Sequence, residues 1–190
     1  MPKDFTTLSL AEVLAEAEAI AQDVPVALGQ LNAEQLNWKP NAESWSVGQC
    51  LEHLMAADYA MFGAFDEVLS GQKRATRWER MPLLPSLFGR LMVKAVSPQA
   101  TQKLKAPPKI QPTTSTIDAQ IVSRFGKHQR ELISRLQGLE NFFVEKIVMT
   151  SPLMKLITYS VLDACRLIVA HERRHLAQAK RVMETTGFPQ

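Results

Sequence analysis

Between Gly71 and Ser115 the chain passes through Pro82, Pro85, Pro98, Pro107, Pro108 and Pro112, and this stretch narrows the fold more than any other. It cannot be one helix, because an interior proline removes a backbone donor and clashes with the preceding turn. On both sides of it apolar residues recur at helical spacing, two amphipathic helices before and two after. Short loops make successive helices antiparallel neighbours, whereas a connection this long can return along a whole bundle and let the flanking helices run parallel. An all-α four-helix bundle follows, as a single domain over residues 1–190. An up-down-down-up order is allowed by the crossover, though not required by it.

The helix ends are marked locally. Ser9 and Glu12 form a capping box ahead of Leu10, Val13, Leu14, Ala17, Ile20 and Ala21, and Pro25 is expected to kink or end this first helix. Asn32 with Gln35 starts one further turn before a loop from Trp38 to Trp45. Ser46 and Gln49 cap the second helix, which carries Val47, Leu51, Leu54, Met61, Phe62, Phe65 and Leu69 and stops at Gly71. Within the crossover, Leu83, Leu84, Leu87, Phe88, Leu91 and Met92 predict a short amphipathic helix from about Ser86 to Val96. It reads first as a lid on the core, and second as a dimer face or a membrane-contact helix. Ser115 or Thr116 should open the third long helix, with Ile117, Ile121, Phe125, Leu132 and Leu136 on one stripe ending near Gly138. Ser160 with Asp163 opens the last, expected to close at Gly187 ahead of Pro189. No convincing strand pair is visible.

Charge is uneven. Gly71 to Pro112 holds nine Lys or Arg against Glu79 alone, a surplus of +8 that leaves −5 for the remainder of a chain whose net charge is +3. A solvated connection is the plain reading of this arm; an anionic substrate, an acidic partner or a membrane surface are the functional ones. Nucleic acid is not favoured, because the arm lacks glycine-aromatic or zinc-finger patterning. Met1 to Leu10 lacks the basic start and apolar run of a signal peptide, and no segment offers eighteen uninterrupted apolar residues, so a cytoplasmic protein with no stable membrane association is expected. Cys50 and Cys165 are too few for a disulfide framework and read as free, buried thiols.

The last helix, CRLIVAHERRHLAQAKRVM from Cys165 to Met183, sets His171 and His175 four residues apart. That spacing puts both imidazoles on one face, about 6 Å apart, within reach of one metal ion. HERRH also fits the zinc-protease pattern with Glu172 as general base, but such a protease draws its third ligand from downstream, where Glu184 is the only acidic residue and no His follows. A third ligand, if there is one, must therefore lie upstream. His53, at the edge of the apolar stripe of the second helix, is the better candidate; His128, between Phe125 and Leu132, is a fourth ligand, a supporting partner, or a packed core residue.

Two stretches, LNWKPNAESWSVGQCLEHLMAADYAMF from Leu36 to Phe62 and AHERRHLAQAKRV from Ala170 to Val182, together resemble the DinB-like (YfiT-like) superfamily of metal-dependent hydrolases. In that family a His on the second helix, following a Trp-Ser pair, joins two His of a His-x-x-x-His segment on the fourth, which carries over to His53, His171 and His175. The resemblance implies up-down-down-up order and a divalent ion, nickel, zinc or similar. It also implies two chemistries, since members include hydrolases and thiol transferases that use a low-molecular-weight thiol. The family name comes from a DNA-damage response and implies no contact with DNA.

Three neutral imidazoles leave a bound ion its full charge, enough to make water or a thiol nucleophilic near neutral pH. Glu172, on the inward face, reads as the proton acceptor for that nucleophile or a partner of a ligand His, and equally as a structural ion pair with a neighbouring helix. Gln178 could hold a ligand or face solvent, and Asp58 is expected to face elsewhere. The function classes are a metal-dependent enzyme acting on a small molecule, a non-catalytic metal-binding protein of stress response, and an interaction module with structural histidines. A homodimer stays open through the crossover helix.

Overall fold

Three capping boxes set where the first half of the chain becomes helical. Ser9 with Glu12, Asn32 with Gln35 and Ser46 with Gln49 each exchange side-chain and backbone hydrogen bonds, which opens α1 (Leu10–Leu28), α2 (Ala33–Asn37) and α3 (Val47–Leu69). The computed structural model describes residues 3–81, 84–101, 105–113 and 116–190, so Leu83 and Ser115 lie outside the described residues. Further on come α4 (Leu84–Val96), α5 (Ile121–Leu139), β1 (Val148–Thr150), β2 (Thr158–Ser160) and α6 (Val161–Met183). The two strands pair antiparallel, with Met149 opposite Tyr159.

Contacts between helix ends give the direction of each long helix. Gly48 in the first turn of α3 lies against Ile117 just ahead of α5, and Gly138 at the end of α5 lies against Leu69 at the end of α3, so α3 and α5 run parallel. Arg166, early in α6, donates to the Leu8 carbonyl ahead of α1, and Arg173 pairs with Glu16 and Asp23 further along, so α1 and α6 are also parallel. Tyr159, just before α6, reaches Met61 late in α3 while His171 reaches His53 early in it, which makes α3 antiparallel to α6. The result is an up-down-down-up bundle. Each long helix packs on two neighbours, and Ile20, Leu51, Leu54, Phe65, Phe125, Leu132 and Leu136 are fully enclosed between them. Burial of each such side chain contributes about 1.5–3 kcal/mol.

Four expectations need correction. Pro25 does not end α1, which continues to Leu28; the proline is exposed, so the carbonyl left without its donor can be hydrated, and Gly29 donates back to the Pro25 carbonyl at 3.0 Å. The third long helix opens at Ile121 and not at Thr116, because Asn37 holds the backbone of Ile117 from both sides, accepting from its N–H at 2.7 Å and donating to its carbonyl at 2.9 Å. The last helix ends at Met183; Gly187, at φ +92°, then turns the chain so that Phe188 meets Trp38 edge-on. The β1–β2 ribbon was not foreseen, since three residues per strand are too few to show alternation.

The crossover wraps the bundle. α4 packs on α6 and β2, and Arg174 donates to the carbonyls of Ala95 and Ser97. Glu79, the single acid of the arm, is buried and accepts from Lys73, the Thr76 amide and both donors of Thr150, which ties the arm to β1. Leu87 and Leu91 of α4 face solvent.

Candidate metal centre

His53 sits in the second turn of α3, where burial of Cys50, Leu51 and Leu54 fixes the rotation of the helix. Its Nδ1–H donates to the Ile110 carbonyl at 2.6 Å, and this leaves the Nε2 lone pair pointing at His171 Nε2, 3.2 Å away. The acceptor comes from the crossover, in the short turn Pro108–Ile110. Two further bonds pin that strand of the arm to α3: Gln49 donates to the Thr113 carbonyl at 2.8 Å and the Thr113 amide donates to Glu52 at 2.6 Å.

His171 and His175 stand one turn apart on α6, with ring centroids separated by 4.6 Å. The His53 ring is 5.0 Å from the first and 4.7 Å from the second. One nitrogen from each ring falls within 4.8 Å of the other two, and no other residue among those described joins this cluster. Trp45 closes one side, lying against His175 at 5.5 Å with nearly parallel planes and against His53 at 4.7 Å.

Electrostatics keep the three rings neutral. Burial lowers the His53 pKa below the ordinary imidazole range, holds His171 well below it with repulsion from the other two rings added, and takes His175 down to about 3. His175 Nδ1 is buried and without a hydrogen-bond partner among the described residues, and Gln178, three residues on and half-buried, only partly offsets the lowering of the His175 pKa by burial. Three converging lone pairs repel one another unless a cation sits among them. In a tetrahedral site with bonds of about 2.0–2.1 Å, donor nitrogens lie roughly 3.3 Å apart, close to the 3.2 Å seen between His53 and His171. The donor set thus fits a divalent ion of borderline softness, with coordination positions left for an exogenous ligand.

The other singled-out residues lie in a second, deeper cluster. His128, fully enclosed, donates from Nε2 to Asp58 Oδ2 at 3.0 Å and stacks on Phe62. Glu172 is also fully enclosed; its Oε1 accepts from Gln129 Nε2, its Oε2 has no hydrogen-bond partner among the described residues, and the Asp58 carboxyl acts on it as a negative neighbour. Burial drives both carboxyls well above their usual range. Cys50 and Cys165 are free, and burial pushes each thiol to about 12, too high for a nucleophile at neutral pH. Sequence reasoning missed Gln129 and the Ile110 carbonyl outright. Asp58 does turn from the three-His face, but into the core; a signal for it lay in a carboxylate inside an apolar stripe.

A bundle of this parallel-antiparallel order that converges three neutral imidazoles from two of its helices defines a class of helical proteins with a candidate metal site. Within that class this chain belongs to the DinB superfamily, whose family model matches residues 16–179. A relative in Bacillus subtilis strain 168, the uncharacterized protein YuaE, is 26% identical over 155 residues, covering 81% of this chain and 86% of that one. Among solved structures, YfiT from Bacillus subtilis superimposes with a TM-score of 0.59 over 100% of this chain and 94% of its own, at 16% identity. YfiT is described as a probable metal-dependent hydrolase with an unusual four-helix bundle topology. At that identity the likeness concerns the fold. Among the described residues no helix is long and apolar enough to cross a membrane.

Proposed function

We propose that this protein is a metal-dependent enzyme in which His53, His171 and His175 hold one divalent ion, nickel, zinc or similar, for reaction on a small-molecule substrate. The observation that carries this reading is the convergence of three neutral imidazoles, ligand atoms within 4.8 Å, with no carboxylate in the cluster among the described residues. The description of YfiT as a probable metal-dependent hydrolase supports it. When bound, the ion supplies Lewis acidity that makes water, or the sulfur of a low-molecular-weight thiol, nucleophilic at neutral pH. The protein's own part is to orient and to exclude water. The Ile110 carbonyl fixes the His53 tautomer, and Trp45 walls one side of the rings.

A thiol S-transferase is a second reading, and a specific feature favours it. Arg174 and Arg181 both act on His175 as positive neighbours, a setting suited to an anionic thiol or thiolate, whereas Glu172 has its partners in Asp58 and Gln129 and not in a triad imidazole. Glu172 as the proton acceptor for water would have to leave that cluster. Metal content of untagged protein comes first as a test. Turnover is then screened on ester, amide and phosphoester substrates, and on electrophiles with and without low-molecular-weight thiols. Thiol-independent hydrolysis lost in Glu172→Gln supports the hydrolase; thiol-dependent turnover that survives it supports the transferase. Firm metal binding with no turnover in either screen selects the non-catalytic metal-binding reading.

A further inference from the structure

The deeper cluster takes no part in holding the ion, yet it joins the two helices that do. Asp58 lies five residues after His53 on α3, and Glu172 directly follows His171 on α6. Between them α5, which supplies no imidazole to the centre, contributes two consecutive residues: His128 donates to Asp58 at 3.0 Å, and Gln129 donates to Glu172. The two buried carboxyls also act on each other electrostatically, so the four side chains link α3 through α5 to α6. All four are exposed by 1% or less.

Such a cluster is a poor way to stabilise a core. Apolar residues of similar volume would bury as much surface without leaving His128 Nδ1, Gln129 Oε1 and Glu172 Oε2 unpartnered among the described residues. What it supplies is direction. Contact between the apolar faces of α3 and α6 tolerates small rotations and slides, because the hydrophobic effect is non-directional; hydrogen bonds weaken steeply when their angle changes. The three-His centre depends on that alignment, since one ligand comes from α3 and two from α6.

The geometry points to Asp58, His128, Gln129 and Glu172 as positioning residues that set the rotation and separation of α3 against α6, and through them the metal affinity and coordination geometry of the three histidines. This rests on the metal-centre reading above.

The test is Co2+ titration of the full-length protein, read as a dissociation constant and as visible d–d bands, with far-UV circular dichroism on each sample. Asp58→Leu and His128→Phe, which keep volume and remove polarity, should weaken Co2+ binding roughly 10- to 100-fold and alter the bands while helix content stays. Asp58→Asn keeps an acceptor for His128 and gains a donor toward Glu172, so it should stay within about threefold of wild type, a rescue that volume alone does not predict. Gln129→Met cuts only the second bond and keeps the test alive if the Asp58→Leu protein misfolds; it should shift affinity in the same direction. Wild-type affinity and bands in the folded apolar variants overturn the positioning role alone. A wild-type protein that binds no Co2+ overturns the metal centre together with it.

Discussion

The three histidines of the centre, buried or half-buried, and the fourth, fully enclosed in the core, keep opposite company. His53, His171 and His175 face one another with no carboxylate among them, while His128 donates to Asp58 and shares its pocket with Glu172. The contrast teaches what separates a ligand from a structural histidine. An imidazole whose lone pair is aimed at other lone pairs needs a cation; one whose N–H has found a carboxyl is held by that bond, even with its second nitrogen unpartnered among the described residues as in His128.

The largest expected effect breaks the comparison at the ligands. Replacing His53, His171 or His175 singly by Ala should lower bound metal by roughly an order of magnitude or more, since each removes one of three donors from a site needing them all. Metal analysis of proteins purified without a His tag is the check. Stoichiometric metal in the triple variant would remove the centre from consideration.

The pH dependence of stability should separate the imidazoles, His128 included, from the deeper carboxyls by sign. Each triad imidazole has a folded pKa below its unfolded value near 6.5, so the unfolded state binds more protons as pH falls; in metal-free protein the stabilising contribution is present above about pH 6.5 and lost as pH falls below it, for His175 down to about 3. Asp58 has a folded pKa above its unfolded 3.8, so it acts the other way, and its contribution falls as pH rises from the unfolded value through the folded one. Urea melts across pH 4 to 9 should show Asp58→Asn removing part of the decline on the alkaline side and leaving the acid limb in place. An acid limb that moved equally in Asp58→Asn would mean the two clusters titrate as one.

How much of this was legible in sequence follows from how local each signal is. The starts of α1, α2, α3 and α6 were readable because a cap residue and its partner lie three apart. The start of α5 was not, because Gln120 makes no side-chain cap and the backbone of Ile117 before it is held by Asn37, 80 residues away. The same holds for the sites. His171 and His175 announce themselves by a four-residue spacing, and His53 by its stripe. The role of Glu172 depends on Gln129 and Asp58, on two other helices, and sequence could only place it inward. The Ile110 carbonyl is a backbone atom in the stretch where sequence pattern was weakest, and no side-chain signal marks it.

Replacing the turn Pro108–Ile110 by three glycines tests whether the crossover serves the centre or merely connects. The carbonyl at position 110 would remain, but glycine loses more conformational freedom on ordering than proline or isoleucine, so its placement against His53 would weaken. Metal affinity should fall by about three- to tenfold, less than removal of a ligand. The Asp58–His128 cluster lies on other elements and should be unaffected, so the pH melt of metal-free protein should keep its alkaline decline. Affinity equal to wild type would return the arm to a connection.

The smallest effect concerns Trp45, which touches two of the three rings without donating to either. Of the three tryptophans, Trp38 packs on Phe188 and Trp78 donates to the Leu156 carbonyl, so neither shares Trp45's contact with the histidines. Loading with a paramagnetic ion such as Co2+ or Ni2+ should therefore quench Trp45 emission ahead of the others. Trp45→Phe keeps an aromatic wall and should change affinity by less than about threefold, well below the ligand variants, because stacking contributes only about 0.5–1.5 kcal/mol beyond area burial. The quench is the sharper measurement. If metal-dependent quenching persists unchanged in Trp45→Phe, the ion sits nearer another indole, and the His53 side of the centre would be misplaced. If the quench disappears while metal content is retained, the ion is located against the wall formed by Trp45 and distinguished from any ion drawn to the Asp58–Glu172 carboxyls in the core.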